Sequence, residues 1–156
     1  MTSMERIVER YSDMLTRTSF TYVRNTQDAQ DITQEVFIAL LQQKKMNLED
    51  DEHLKAWLLR VAINKSKNHL RSSWFRKKTP LSEELSYLPD EKMHLLEAVM
   101  SLPEKYRTPL HLHAYIGYSI KEIAKLLNKK EATIGTRLAR AKNLLSQKIG
   151  EDHETK

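Results

Sequence analysis

The stretch from Ser119 to Ile149 constrains the fold more than any other, because it encodes two helices of unequal length joined by three residues. Ser119 with Glu122 three residues on is a capping box, in which a hydroxyl and a carboxylate satisfy backbone N–H groups at a helix start. Ile120, Ile123, Ala124 and Leu127 recur at helical spacing and are expected to face inward. Asn128-Lys129-Lys130 is the turn, and Asn tolerates the left-handed backbone such a turn often needs. From Glu131 to about Ile149 a longer helix puts Ile134, Leu138, Ala141, Leu145 and Ile149 on its core side. Ala124 is small enough to let the two helices cross closely.

Short helix, tight turn and long basic helix form the helix-turn-helix pattern. The outer face of the second helix carries Thr133, Thr136, Arg137 and Arg140. Residues near the start of such a helix meet base edges in the major groove of duplex DNA. Arg can fork onto guanine, and Thr can reach a base, its methyl group or a phosphate. Lys129, Lys130 and Lys142 suit phosphates, which give affinity but little sequence choice. The competing reading is an ordinary helical hairpin with a solvated basic face.

The remainder of the chain is helical in character. Only 3 Gly and 4 Pro occur in 156 residues, and no run of alternating β-branched residues argues for a sheet. Met4 to Asn25 reads as a first helix with Ile7, Tyr11, Met14, Leu15, Thr18 and Tyr22 on one face. Thr26 or Asp28 is expected to cap a second, running to about Lys45 with Ile32, Val36, Phe37, Leu40 and Leu41 inward. Met46 to His53 reads as an acidic loop. A third helix spans about Leu54 to Trp74, burying Leu54, Trp57, Leu58, Val61, Ala62 and Leu70. Phe75 to Pro89 carries no helical stripe. Beyond it Met93, Leu96, Val99 and Met100 mark one helix, and Glu104 to Ile116 another, kinked at Pro109 and closed by Gly117. The expectation is an all-α fold of two small helical domains, 1–78 and 92–150, joined by a flexible linker over 79–91 and followed by a tail at 151–156.

Charge sharpens the reading. From Leu54 to Ser82 there is no Asp or Glu, while Lys55, Arg60, Lys65, Lys67, Arg71, Arg76, Lys77 and Lys78 all fall there. A second basic run, Lys129 to Lys148, holds one acid, Glu131. Two cationic runs and a net charge of +5 suit two contacts along an extended polyanion. There is no cysteine, which excludes disulfides and thiolate metal sites. The first ten residues are charged and unlike a signal peptide, so the chain is expected to be cytoplasmic. The His111-x-His113 pair points to different helix faces, and no glycine-rich phosphate loop or Ser/His/Asp set is present. No enzyme activity, cofactor, metal or small-molecule substrate is expected.

Leu102-Pro-Glu-Lys-Tyr-Arg107, Gly117-Tyr-Ser-Ile-Lys-Glu-Ile-Ala124 and Thr133-Ile-Gly-Thr-Arg-Leu-Ala-Arg-Ala-Lys142 together resemble the region-4 domain of bacterial sigma factors. Asp28-Ala-Gln-Asp-Ile-Thr-Gln-Glu-Val-Phe37 and Leu54-Lys-Ala-Trp-Leu-Leu-Arg-Val-Ala-Ile-Asn64 resemble their region-2 domain. Both in this order, with no room for a third domain between, is the layout of the extracytoplasmic-function group. The resemblance implies that region 2 docks on core RNA polymerase and binds the −10 promoter element as single strand. Region 4 then reads the −35 element as duplex, and members are commonly held inactive by an anti-sigma factor, often membrane-linked.

By position, the resemblance places Asp28, Asp31, Gln34, Glu35 and Phe37 in the polymerase-docking motif, although Phe37 and Val36 also fit the core. It places Asn64, Lys65, Asn68 and Arg71 on the −10 face. Thr133, Thr136, Arg137, Arg140 and Lys130 fall on the −35 surface. The loop from Asn47 to His53 matches the segment that captures a flipped base. Its acids Glu49 to Glu52 either accept from a base amino group or are simply solvated. Trp57 can stack a base but sits on the apolar stripe, and Trp74 and Phe75 are freer to stack. Gly135 departs from the longer side chains usual there and costs the helix about 1 kcal/mol against Ala. The main rival function is a stand-alone helix-turn-helix regulator of duplex DNA; a pure protein-interaction module is a third.

Overall fold

The computed structural model describes residues 2–72 and 90–154, and the side chains of all of these except 90–93 and 151–154. Every regular element among the described residues is helical, and the chain divides into two compact units, Met1–Thr79 and Pro80–Lys156. The expected linker up to residue 89, with Trp74, Phe75 and the basic Arg76–Lys78, lies outside the described residues.

The first unit holds α1 (Ser3–Val23), α2 (Thr26–Leu41) and α3 (Asp51–Ser72). Each of the three packs against the other two. Leu15, Val36, Leu54, Leu58 and Leu59 are fully buried at their meeting, each contributing roughly 1.5–3 kcal/mol by leaving water. α1 begins at a capping box, Thr2 with Glu5, and ends at Arg24 in the left-handed region, whose N–H bonds the Phe20 carbonyl. The helix that follows is capped by neither Thr26 nor Asp28. Asn25 is the cap, its Oδ1 accepting from the Asp28 N–H at 2.8 Å. α2 also stops earlier than expected. Leu41 is 68% exposed rather than buried, and past Leu40 no buried side chain supports another turn.

α3 differs from expectation at its start and in its face. The acidic segment belongs to the helix: Asp50 accepts from the His53 N–H at 3.2 Å, and Asp51 and Glu52 occupy the first turn, where carboxylates favour the positive end of the helix dipole. The buried face is Leu54, Leu58, Leu59, Ala62, Ile63 and Ser66, with Trp57, Val61 and Leu70 only half-buried at its margin. A helix squeezed by two neighbours buries a wider arc than one apolar stripe implies, and here that arc is centred away from Trp57.

In the second unit α4 (Asp90–Met100), α5 (Glu104–His111), α6 (Ile120–Leu127) and α7 (Glu131–Glu154) follow one another. α7 is the axle: α4, α5 and α6 each pack against it. Leu102, Leu110 and Ala141 form a buried cluster, with Val99, Tyr106, Leu144 and Leu145 around it. Arg107, itself buried, donates through Nη1 to the carbonyls of Met100 and Leu102, both at 3.1 Å, and so closes the end of α4. The helix containing Pro109 does not run on regularly. It passes into a π turn over Leu112–Ile116, and Gly117 at φ 88° ends it.

Candidate nucleic-acid and protein interface

The helix-turn-helix is built as its local chemistry dictates. Ser119 Oγ accepts from the Glu122 N–H at 3.1 Å while Glu122 Oε1 accepts from the Ser119 N–H at 3.0 Å. Asn128 takes φ 55°, its N–H bonds the Lys125 carbonyl at 3.4 Å, and the Lys129 N–H closes on the Ala124 carbonyl at 2.9 Å. This is the two-bond closure that ends a helix on a left-handed residue. Ile123 and Ala124 are buried as expected, but Ile120 is exposed, and Leu126 takes an inward place that the stripe did not assign. On α7, Ile134, Leu138 and Ala141 are buried, while Leu145 and Ile149 are half-buried.

The solvent side of α7 carries the expected polar set. Thr133, Thr136, Arg137 and Arg140 converge on one open depression whose other walls are Ala132 and, from α5, Lys105 and Tyr106. Thr136 and Arg140 are exposed, and Thr133 and Arg137 half-buried. No carboxylate lines this depression. Lys130 is exposed just ahead of α7 and is not among the lining residues. Gly135 has open space around it, so its missing side chain leaves room rather than relieving a clash. Sequence reasoning missed Lys105 and Tyr106 as part of this surface, since the approach of α5 to α7 has no signature in either segment. Arg140 first, and then Lys105 against the opposing effect of burial, hold the Tyr106 phenol below the usual value near 10. The Lys105 ammonium lies 5.0 Å from the centre of the same ring.

In the first unit the motif on α2 divides. Asp31, Gln34 and Glu35 are exposed, with Asp31 accepting from Gln27 Nε2 at 2.9 Å. Spacing of three and four residues carries that face on to Ile38, 54% exposed, and Leu41. Phe37 and Val36 are buried in the core. Asp28 is half-buried and its Oδ2 lies 3.0 Å from His69 Nε2, tying the start of α2 to the last turn of α3. Of the −10 set, Asn64, Asn68 and Arg71 are exposed on one face of α3 and Lys65 is half-buried beside them. Trp57, half-buried, lies on the same line as Asn64, two turns earlier. The acids of the preceding segment are partly occupied. Asp50 caps α3, and Asp51 Oδ2 receives Arg10 Nη1 at 3.0 Å. Tyr11 is raised above the usual phenol range, first by burial and then, against the opposing charge of Arg10, by the charge and hydrogen bond of Asp51.

The two histidines that tempt a metal reading are otherwise engaged. His111 stacks on Tyr115 at 5.2 Å, and His113 Nδ1 lies 2.9 Å from the Tyr118 carbonyl oxygen. Among the described residues no helix is long and apolar enough to cross a membrane.

Comparison with known proteins agrees with this layout. The Sigma-70 region 2 family matches residues 7–76, and the Sigma-70, region 4 family matches residues 92–145. The RNA polymerase sigma-H factor of Pseudomonas aeruginosa is 27% identical, over 94% of this chain and 86% of its own. The ECF RNA polymerase sigma factor SigW of Bacillus subtilis is likewise 27% identical, over 92% of this chain and 87% of its own. In fold, the sigma factor RpoE from Bartonella quintana, solved in complex with the anti-sigma factor NepR, superposes with a TM-score of 0.69 at 17% identity, covering 94% of this chain and 96% of that one. With both family models matched in order across most of its length, the chain belongs to the sigma-70 family of RNA polymerase sigma factors, in the extracytoplasmic-function group.

Proposed function

We propose that this sigma factor divides its work among three helix faces. The outer face of α2, with Asp31, Gln34, Glu35, Ile38 and Leu41, docks on core RNA polymerase, while buried Phe37 and His69-bound Asp28 hold that helix in place. Asn64, Lys65, Asn68 and Arg71 on α3 take the −10 element as single strand, the asparagines reading base edges and the cations holding the backbone. Thr133, Thr136, Arg137 and Arg140 on α7 read the −35 element in the duplex major groove, with Lys130 on a phosphate. The work is binding and not covalent chemistry. Opening a base pair costs a few kcal/mol, offset by capture of the extruded base and its phosphates. Its place of action is the cytoplasm, with the polymerase.

The convergence of two threonines and two arginines on one carboxylate-free depression of a closed helix-turn-helix carries this reading. Run-off transcription with bacterial core polymerase, on a pool of promoter DNA from the source genome, tests it. New discrete transcripts are expected, and they weaken at least about fivefold with Arg137→Ala, the loss of one bidentate base contact being about 1–3 kcal/mol. Absence of transcripts and of polymerase binding, with duplex binding retained, would leave the stand-alone regulator instead. The Bartonella quintana neighbour is held by an anti-sigma factor, and a protein of that class is the negative regulator we propose here. Its test is whether a protein co-purified with the tagged chain from its native cell silences the run-off reaction; one that leaves the transcripts intact is not that regulator.

A further inference from the structure

The last turn of α3 carries more of the −10 set than its packing supports. Asn64 and Lys65 stand between Ile63 and Ser66, both buried. Asn68 and Arg71 come after Ser66, and from Lys67 to Ser72 no residue is buried. A helix end without buried anchors opens easily, and a frayed turn scatters the side chains it carries. Polar contacts hold this one instead. Ser72 Oγ donates to the His69 carbonyl at 3.0 Å, one of the last-turn carbonyls that a helix leaves open. His69 Nε2 lies 3.0 Å from Asp28 Oδ2 on α2, the two side chains being only 22% and 19% exposed. A carboxylate accepts, so the imidazole donates.

The contact steadies both helices, but unequally. Asp28 stands in the first turn of α2, its own N–H bonded to the Asn25 cap at 2.8 Å, and Ala29 and Ile32 just beyond it are buried. It is a fixed post. His69 lies past the last buried residue of α3, next to Asn68 in sequence and one turn beyond Lys65. Support therefore runs mainly from α2 into α3. Asn68 and Arg71 follow Asn64 by one and two turns on the same face, so a strand laid along that face meets them only while the last turn stays wound. Side chains ordered in advance bind without the entropy cost of ordering them. We propose that Asp28, acting through His69, is a positioning residue of the −10 surface: the pair keeps the last turn of α3 wound and so presents Asn68 and Arg71 to the single strand. Asp28 then serves the DNA-binding face, although it stands in the helix that docks on polymerase. This rests on the reading of α3 as the −10 face.

The test is promoter opening by holoenzyme, reconstituted from bacterial core polymerase and a saturating amount of the full chain. It is read as permanganate reactivity of unpaired thymines on a promoter that the genomic pool yields. His69→Leu keeps the bulk but removes the donor, and is expected to lower opening about fivefold. His69→Gln carries an amide N–H to nearly the same place and should recover most of that loss. Asp28→Ala should lower opening as His69→Leu does, and the double variant should be no worse than either, because the two residues act as one contact. Affinity for core polymerase should fall by no more than about twofold, and duplex binding by the chain should not change. Losses that multiply in the double variant would overturn the proposal, as would a His69→Gln no better than His69→Leu. Polymerase affinity falling as far as opening would return Asp28 to the docking face and overturn it too. Normal opening by His69→Leu and Asp28→Ala, beside a weakened Asn64→Ala, would overturn the role of the pair and leave the −10 reading intact. Normal opening by Asn64→Ala, or a pool that yields no promoter, would remove both. Should His69→Leu fail to fold, His69→Asn replaces it: its amide is too short to reach Asp28, so opening should still fall, and normal opening would overturn the proposal.

Discussion

The outer faces of α2 and α7 are both exposed helix surfaces, yet their chemistry is opposite. α2 presents Asp31, Gln34 and Glu35 leading into exposed Ile38 and Leu41, an apolar step rimmed by acid and amide. α7 presents threonines and arginines around a depression without a carboxylate. An apolar centre with a polar rim suits a protein partner, while a cationic surface with hydroxyls suits phosphate and base edges. The same secondary structure thus serves two partner classes, and side-chain chemistry alone separates them. The supporting architecture differs too. The first unit ties polar side chains across helices, through Arg10 with Asp51 and His69 with Asp28. In the second, Arg107 is turned inward to close α4, and the cations of α7 stay at the surface.

The most damaging change should be in the scaffold of the first face. Leu58 is fully buried where α3 meets its neighbours, and Leu58→Ala should cost about 2–5 kcal/mol of unfolding free energy. Urea denaturation followed by circular dichroism measures it. A loss under about 1 kcal/mol would mean the three-helix packing described here is wrong at its centre. Next comes the face itself. Ile38→Glu places a charge on the apolar step without touching the core, so stability should hold while affinity for core polymerase falls about tenfold or more. Duplex binding by the same variant should be unchanged, and equal loss of both affinities would collapse the distinction between the two faces.

The two faces were unequally legible in the sequence. The helix-turn-helix could be read almost residue by residue, because its determinants are local: the Ser119–Glu122 box, the left-handed Asn128 and the spacing of α7 each act within a few residues. What failed was tertiary. An apolar stripe does not say whether a neighbour of the same chain or a partner covers it, so the stripe on α2 points Leu41 to the core whereas the fold leaves it exposed. α3 packs against both α1 and α2, and its buried arc therefore reaches Leu59 and Ile63 while leaving Trp57 at the edge. The acids at the start of α3 resemble loop residues in composition, yet Asp50 is a cap and Asp51 pairs with Arg10, some forty residues earlier in the chain. Tyr106 entered the α7 surface only through helix packing.

A smaller effect tests the local legibility directly. Ser119→Ala removes the hydroxyl that caps α6 and should cost about 1 kcal/mol. Because α6 supports α7, duplex binding should weaken only to the extent that the thermal midpoint falls. A binding loss without a stability loss would instead make Ser119 a contact residue, and the capping account incomplete.

The smallest expected effect contrasts two tyrosines, one in each unit. Tyr11 is raised above the ordinary phenol value of 10, by burial first and then by Asp51 against the opposing pull of Arg10. Tyr106 is lowered, first by the hydrogen bond from Arg140. In an alkaline titration Tyr106 should therefore ionise before Tyr11. The consequences for stability have opposite sign. With its folded value raised, the contribution of Tyr11 is fully present below pH 10 and is lost as the pH climbs through that folded value. With its folded value depressed, the contribution of Tyr106 is present above pH 10 and is lost as the pH falls through its own folded value. Ring-carbon NMR of tyrosine-labelled protein resolves the order, with Tyr11→Phe and Tyr106→Phe assigning the two signals. Arg140→Ala should return Tyr106 towards 10 and leave Tyr11 in place. If Tyr11 ionised first, either the effect of burial on its phenol or that of Arg140 on Tyr106 would be wrong, and the Arg140→Ala titration says which.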